Sequence, residues 1–267
     1  MSRTRQGPSR SARSTDPADY QRVPRAVAAM PKDFKSGFEI LPHRHERAQL
    51  IYATVGTMRV STGEGVWVVP PQRALWTPPG IRHSIVMSGD VTMRTLYLRA
   101  DAARGMPKTC HVLPVSPLLR ELIIRATELP LHYNERGTAG HLVALLLNEL
   151  HEAETLPLKL PMPRDKRLRQ ICEVLLATPG DPRTLEQWAP SANASPRTLA
   201  RLFMTETGLT FGAWRQQARV LEAMGRLGSG EPVTEVALDL GYESVSAFSA
   251  MFRRAAGASP RQYQHRP

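Results

Sequence analysis

Three histidines and one glutamine carry the chemistry that the first half of this chain offers. His43 and His45 stand two residues apart, so on a strand both imidazoles leave the same face. Gln49 follows four residues after His45, and His83 follows the turn Pro78-Pro79-Gly80-Ile81-Arg82. A proline and glycine turn can send a distant strand back, so that His83 meets the other two. Three imidazoles and one more donor suit Zn, Ni, Fe or Mn. The neutral amide of Gln49 is a weaker ligand than a carboxylate. Three readings stay open: a pocket for an organic effector, a metal held alone or with an effector, and polar groups satisfied within the fold. Trp67, Trp76, Met58, Met87, Met93 and Tyr97 are further candidates for the lining, with ordinary packing as the alternative for each.

A second chemistry lies near the C-terminal end, where guanidinium groups recur on a repeated pattern. Residues 195–208 read SPRTLARLFMTETG and residues 244–257 read SVSAFSAMFRRAAG, an offset of 49. Leu199 aligns with Phe248, Phe203 with Phe252, Gly208 with Gly257 and, farther on, Trp214 with Tyr263. Serine, apolar residues at +4 and +8, and glycine at +13 describe an N-capped amphipathic helix stopped by glycine. In the first copy Arg197, Ala200, Arg201 and Met204 face outward, with Leu199, Leu202 and Phe203 inward. Arginine pairs with guanine through two hydrogen bonds, so Arg197 and Arg201 are candidate base readers, with Ser195 and Thr198 beside them. In the second copy Ser244, Val245, Ser246, Ala247, Ser249 and Ala250 hold the matching positions. These small residues suit thymine methyls or close approach, with Arg253 and Arg254 on phosphates. The first helix is thus expected to carry most hydrogen-bonded readout; the alternative is a solvated charged face.

The elements that must position these groups are of two kinds. Short apolar-rich runs at 37–41, 49–55, 57–61, 66–69, 74–77, 83–87 and 91–98 alternate with Pro and Gly breaks, which predicts a β-sandwich or barrel. Before each serine-capped helix stands a short helix with apolar residues three or four apart: Leu185, Trp188 and Ala189, then Val233, Val236 and Ala237. A turn residue that tolerates left-handed backbone follows, Asn193 in one copy and Gly241 in the other. Short helix, tight turn and capped helix make a helix-turn-helix. Pro190 should end the first short helix early. Residues 211–227 read as a connecting helix on Trp214, Ala218, Leu221 and Met224, with Gly225 as the first internal breaker.

At these residues the segment 164–267 resembles the DNA-binding domain of the AraC family of transcription regulators. Gly241-Tyr242-Glu243-Ser244, Phe248, Met251-Phe252, Gly257 and Ser259-Pro260-Arg261-Gln262-Tyr263 carry the match. The first half resembles the cupin fold on His-x-His and Pro-x-Gly-x-x-His, with Gln49 where metal-binding cupins have Glu. The resemblance implies a sensor barrel followed by helices that pair two copies. It therefore implies double-stranded DNA, a small effector and a second copy of the chain as partners.

Composition sets the remaining bounds. The net charge of +11 is spread along the chain, so the DNA reading rests on the repeat. No apolar run approaches the ~18 residues of a membrane span, and no apolar signal core opens the chain. Cys110 and Cys172 form no metal spacing. The expectation is a cytoplasmic protein with no membrane attachment. Helices are predicted over 117–129 and 139–154, the first with Leu118, Leu119, Leu122, Ile123 and Ala126 on one stripe. In the second, Leu142, Leu145, Leu146 and Leu150 share a face. The resulting division is a disordered basic tail over 1–25, a cupin-like sensing and dimerisation domain over 26–155, a stiff linker over 156–163 and a double helix-turn-helix domain over 164–267. The fold class is α+β with two domains, a β-barrel with flanking helices and an all-α domain. The function read from it is a ligand-responsive, non-enzymatic transcription regulator. The alternative is a metal-dependent cupin oxygenase or isomerase with an appended helical domain.

Overall fold

Alternation along the strands decides the layers. In the computed structural model, which describes residues 14–154, 159–256 and 258–264, two five-stranded antiparallel sheets face each other. The strands are β1 (Val27–Phe34), β2 (Glu39–His43), β3 (Ala48–Tyr52), β4 (Thr57–Thr62) and β5 (Gly65–Val69), then β6 (Arg73–Thr77), β7 (His83–Ser88), β8 (Val91–Leu98), β9 (His111–Pro114) and β10 (Lys159–Pro161). One sheet runs β1-β8-β3-β6-β9 and the other β10-β5-β4-β7-β2, a jelly-roll interleaving. Ile51, Trp67, Val69, Leu75, Ile85, Met87 and Met93 point between the sheets and form the interior. Every residue of β3 and of β5 is buried, which requires cover on both faces.

Helices supply that cover. Helices α1 (Pro117–Ala126) and α2 (Thr138–Glu152) lay Leu119, Leu122, Ile123, Val143, Leu146 and Leu150 against Leu50, Tyr52, Trp76, Leu96 and Leu98 on the outside of the first sheet. Ser116 caps α1 by accepting from the Leu119 N–H at 3.0 Å. The outside of the second sheet meets the C-terminal helices: α3 (Lys166–Ala177), α4 (Leu185–Trp188), α5 (Pro196–Thr207), α6 (Phe211–Gly228), α7 (Val233–Asp239), α8 (Val245–Ala256) and α9 (Pro260–Gln264). Their core of Leu168, Trp188, Phe203, Trp214, Phe248 and Phe252 is continuous with Val68 of β5 and Leu160 of β10. The expected barrel with flanking helices, followed by a helical domain, is borne out. Among the described residues no helix is long and apolar enough to cross a membrane.

The seam between the two parts is close. Helix α6 runs through Gly225, the residue read as a breaker, to Gly228. A Cβ on Gly225 would lie 2.9 Å from the Thr57 methyl, and one on Gly228 3.2 Å from Pro70. The Thr57 hydroxyl donates to the Gly225 carbonyl at 2.9 Å, and Arg59 donates to the Leu176 carbonyl at 3.0 Å. Trp214 donates to the Pro161 carbonyl at 2.7 Å. Lys159–Pro161, within the stretch read as a linker, is therefore a strand paired with β5 and held by α6. The remainder of that stretch before Lys159 lies outside the described residues.

One further expectation is corrected. The tail read as disordered over 1–25 is ordered from residue 14 on, while residues 1–13 lie outside the described residues. Pro17–Tyr20 forms a 3-10 turn, Tyr20 is fully buried, and its ring stands 5.9 Å from that of Tyr97. The buried Arg47 guanidinium donates to the carbonyls of Gln21, Val23 and Arg25 and so pins this segment to the barrel. Charge and low apolar content hid one aromatic anchor and its buried arginine.

Candidate metal centre and nucleic-acid interface

His43 ends β2, His83 begins β7, and the two are paired across the strands. An irregularity in that pairing between Ile40 and His43 re-aims the end of β2, as strand bulges do. His45 follows in the loop, whose carbonyl accepts from the Gly80 N–H at 2.9 Å. The Pro-Pro-Gly turn is thereby tied to the first two histidines, with Gly80 at φ +77. The ring centroids stand 4.8 Å (His43–His45), 4.4 Å (His43–His83) and 5.5 Å (His45–His83) apart. One ligand atom from each residue falls within 4.8 Å of the others.

The hydrogen bonds set the tautomers. His43 Nδ1 donates to the Leu41 carbonyl at 2.8 Å and His83 Nδ1 to the Ile81 carbonyl at 3.0 Å. Each Nε2 then carries a lone pair, the arrangement by which a backbone carbonyl orients a metal-ligating imidazole. Nε2 of His45 and of His83 is buried without a hydrogen-bond partner. Burial, reinforced by the neighbouring imidazoles, holds His45 down to about 4, and burial does the same to His83, also to about 4. Both rings are uncharged at neutral pH, as ligation requires.

Gln49 is fixed by Tyr97, already a candidate for the lining, and by Thr95, which the sequence pattern did not single out. Its amide N–H donates to the Thr95 hydroxyl at 3.0 Å and to the Tyr97 hydroxyl at 3.4 Å, while Thr95 donates to the Leu50 carbonyl at 3.0 Å. The Gln49 amide oxygen is left buried and unpartnered. Period two on β8 places Thr95 on one face with Met93 and Tyr97, the signal that would have found it. Met58, Met87, Met93, Trp67 and Tyr97 all reach the interior. Trp76 does not: alternation on β6 sends Leu75 inward and Trp76 out beneath α1 and α2, where its N–H reaches the Pro107 carbonyl at 2.8 Å. Cys110 belongs to the interior and Cys172 to the helical core, both as free thiols.

The helical domain presents two helix-turn-helix units. Helix α4 is one turn long and ends before Pro190; Asn193 takes φ +47 in the turn, and Gly241 takes φ +76 at the matching place. Ser195 accepts from the Thr198 N–H at 3.2 Å, and Ser244 from the Ala247 N–H at 3.2 Å, so both serines hold helix ends. The Thr198 hydroxyl also meets Ser195, at 2.9 Å. Leu199, Phe203, Phe248 and Phe252 are buried. Arg197, Ala200, Arg201 and Met204 are exposed on α5, as are Ser246, Ala247, Ala250 and Arg253 on α8, while Val245 is half-buried. Gly208 stops α5 at φ +73; its counterpart Gly257 lies outside the described residues.

Comparison with known proteins gives concordant matches. Residues 35–162 match a family model described as an AraC-like ligand binding domain, and residues 188–266 one described as a helix-turn-helix domain. The HTH-type transcriptional regulator NimR of Escherichia coli (strain K12) is 35% identical over 221 residues, 83% of this chain and 81% of that protein. The HTH-type transcriptional regulator RipA of Corynebacterium glutamicum is 35% identical over 100 residues, 38% of this chain and 30% of that protein. A solved structure of ToxT from Vibrio cholerae with unsaturated fatty acid bound aligns over 89% of this chain and 94% of its own, with 11% identity and a TM-score of 0.38.

Proposed function

The chain belongs to the AraC-type transcription regulators, an AraC-like ligand binding domain joined to a helix-turn-helix domain, and from that premise we infer that it is a metal-responsive switch on double-stranded DNA. It is a regulator rather than an enzyme. The observation that carries the metal reading is the pair of buried, unpartnered Nε2 atoms on His45 and His83. His43, His45 and His83 would hold a divalent transition ion, with the Gln49 amide oxygen as a weak further donor. The ligand atoms lie within 4.8 Å of one another, wider than the about 3.3 Å that ligation at ~2.0–2.1 Å needs, so loading would draw the rings closer. The packing of Met58, Trp67, Met87 and Met93 in the interior supports an ion over a bulky organic effector there.

When bound, the ion supplies a cross-link between β2 and β7. His83 stands opposite Thr62, and β7 pairs with β4 along its length. Thr57 and Arg59 of β4 hold α6 and α3. Because α6 connects the two helix-turn-helix units, a change in the seam biases the placement of α5 and α8 on DNA. Arg197 and Arg201 read bases, Arg253 holds phosphate, and Ser195, Thr198, Ser244, Val245, Ser246, Ala247 and Ala250 shape the approach. Two copies pair through the outer face of α1 and α2. The sensing and pairing part spans 26–155 and the DNA-reading part 164–267, acting in the cytoplasm.

The test titrates Zn(II) into metal-stripped full-length protein, with operator duplexes obtained by selection from a random pool. One ion per chain is expected, with loss of binding in His83→Ala and a change in operator affinity on loading. Retention of the ion by His83→Ala, or no uptake at all, would sink the metal reading while leaving the DNA reading standing.

A further inference from the structure

A cavity of about 740 Å³ opens where the sensor meets the helical domain, away from the histidines. Its size lies in the ligand-pocket range, and junctions between domains are favoured places for such pockets. The sensor contributes Val55 and Gly56 before β4, Gln72 between β5 and β6, Asp90 before β8, and Arg120 and Glu121 of α1. The helical domain contributes Gly228 and Ser229 at the end of α6 and Gln264 of α9.

The polar groups of this cleft are unevenly used. The Gln72 amide oxygen is buried and has no hydrogen-bond partner. Gly228 faces it without a side chain: a Cβ there would lie 3.3 Å from that oxygen. Ser229 donates its hydroxyl to the Gly225 carbonyl at 3.1 Å, and Gln264 spends an N–H on the Glu231 carbonyl at 2.5 Å. Arg120 is taken up by Glu121. Both carboxylates of the lining are engaged, Asp90 by Lys35 at 2.8 Å and by the Ser36 N–H at 3.1 Å, and Glu121 by Arg120, so the acceptor left unspent is the buried Gln72 oxygen. The two ion pairs cancel in charge, so the unspent Gln72 oxygen rather than net charge selects the ligand: a buried acceptor calls for an N–H or O–H donor and disfavours a carboxylate.

We propose that this cleft is a second small-molecule site, which takes a compact neutral or cationic molecule rich in N–H and O–H groups, of the amine or polyol class. A molecule there touches both parts of the chain. It meets Ser229, whose hydroxyl stands 3.3 Å from that of Thr57, and so acts directly on the contact that docks α6. The site stands apart from the histidine cluster, and its success or failure is independent of metal binding.

The test is ligand-observed NMR on the full-length protein with a fragment set divided into amines and polyols (glucosamine and sorbitol among them), carboxylates, and hydrocarbons. Binders are expected from the first group. Gln72→Leu should weaken them about tenfold, the cost of one buried hydrogen bond. Val55→Trp, at a position 56% exposed and so free to accept a large ring, should abolish binding by filling the cleft. His83→Ala should leave it unchanged. Thermal midpoints of the three variants establish that each is folded. Preference for carboxylates or hydrocarbons, silence from the amines and polyols, or binding that survives both cleft variants would overturn the proposal.

Discussion

Among the described residues, Arg197 and Arg201 differ from many arginines of this chain in forming no ion pair. Arg94, Arg99, Arg167, Arg183 and Arg226 are committed to carboxylates at 2.5–2.9 Å. Among the described residues no ion pair engages the two arginines of α5, and both stand in solvent. An unspent guanidinium at the start of a capped helix retains its full capacity for a base edge. Arg201→Ala is therefore expected to weaken specific binding by ~1–3 kcal/mol and to relax preference at one position of a selected site. An unchanged preference in that selection would return Arg201 to the solvated surface. At this scale the sequence was legible wherever spacing alone decides the outcome. The motif spacing and the turn before His83 pointed to the three rings, although His45 meets the others from the loop after β2 rather than from the same strand face. Of the two partners of Gln49, Tyr97 was already a candidate for the lining but Thr95 was not, because it arrives from a strand 46 residues away with no motif to mark it. Trp76, offered as a lining candidate with ordinary packing as the alternative, takes the packing role, because the phase of β6 gives the inward position to Leu75.

Prolines and glycines explain which elements the sequence disclosed. The strands with apolar runs and clean breaks stood where expected. β1, β9 and β10 did not announce themselves, and each is an edge strand carrying a proline: Pro31, Pro114 and Pro161. Proline lacks the donor that a central strand must spend, so it argues against a strand in sequence yet is tolerated at an edge. Helix α4 shows the converse, since Pro190 closes it after one turn as expected. The glycines of α6 were legible as glycines but not as a docking surface, because what they approach lies in another domain. Their roles can be separated by one substitution at two places. Gly212→Ala meets nothing within 4 Å and is expected to raise stability by about 0.5 kcal/mol through helix propensity. Gly225→Ala drives its methyl onto Thr57 and is expected to cost about 1–3 kcal/mol, as overpacking does. Thermal unfolding of both variants decides the matter, and midpoint shifts of the same sign would remove α6 from the seam.

Seen across the whole molecule, the sandwich has two covered faces of different character. The first sheet is roofed by α1 and α2, which leave Leu118 at 48% and Leu145 at 44% exposure. The second sheet is roofed by the helical domain, with β10 stitched into its edge. The proposed pairing of two copies across the first face would leave the DNA-reading helices on the opposite side of each sandwich. The double variant Leu118→Glu, Leu145→Glu is expected to sediment as a single chain while the parent sediments as two. Equal sedimentation of parent and variant would place the pairing elsewhere or show none. The two-part architecture was visible in the repeat and the strand rhythm, whereas the contact between the parts was not, since it arises from no pattern within either. That contact restricts how freely the parts can be exchanged. A chimera that grafts a foreign DNA-reading domain onto this barrel must bring small residues at the places of Gly225 and Gly228, and a strand able to replace β10. A graft lacking them would lose the seam that docks its two halves, so compatibility for transplantation is written on the concealed side of α6 rather than on the helices that face DNA.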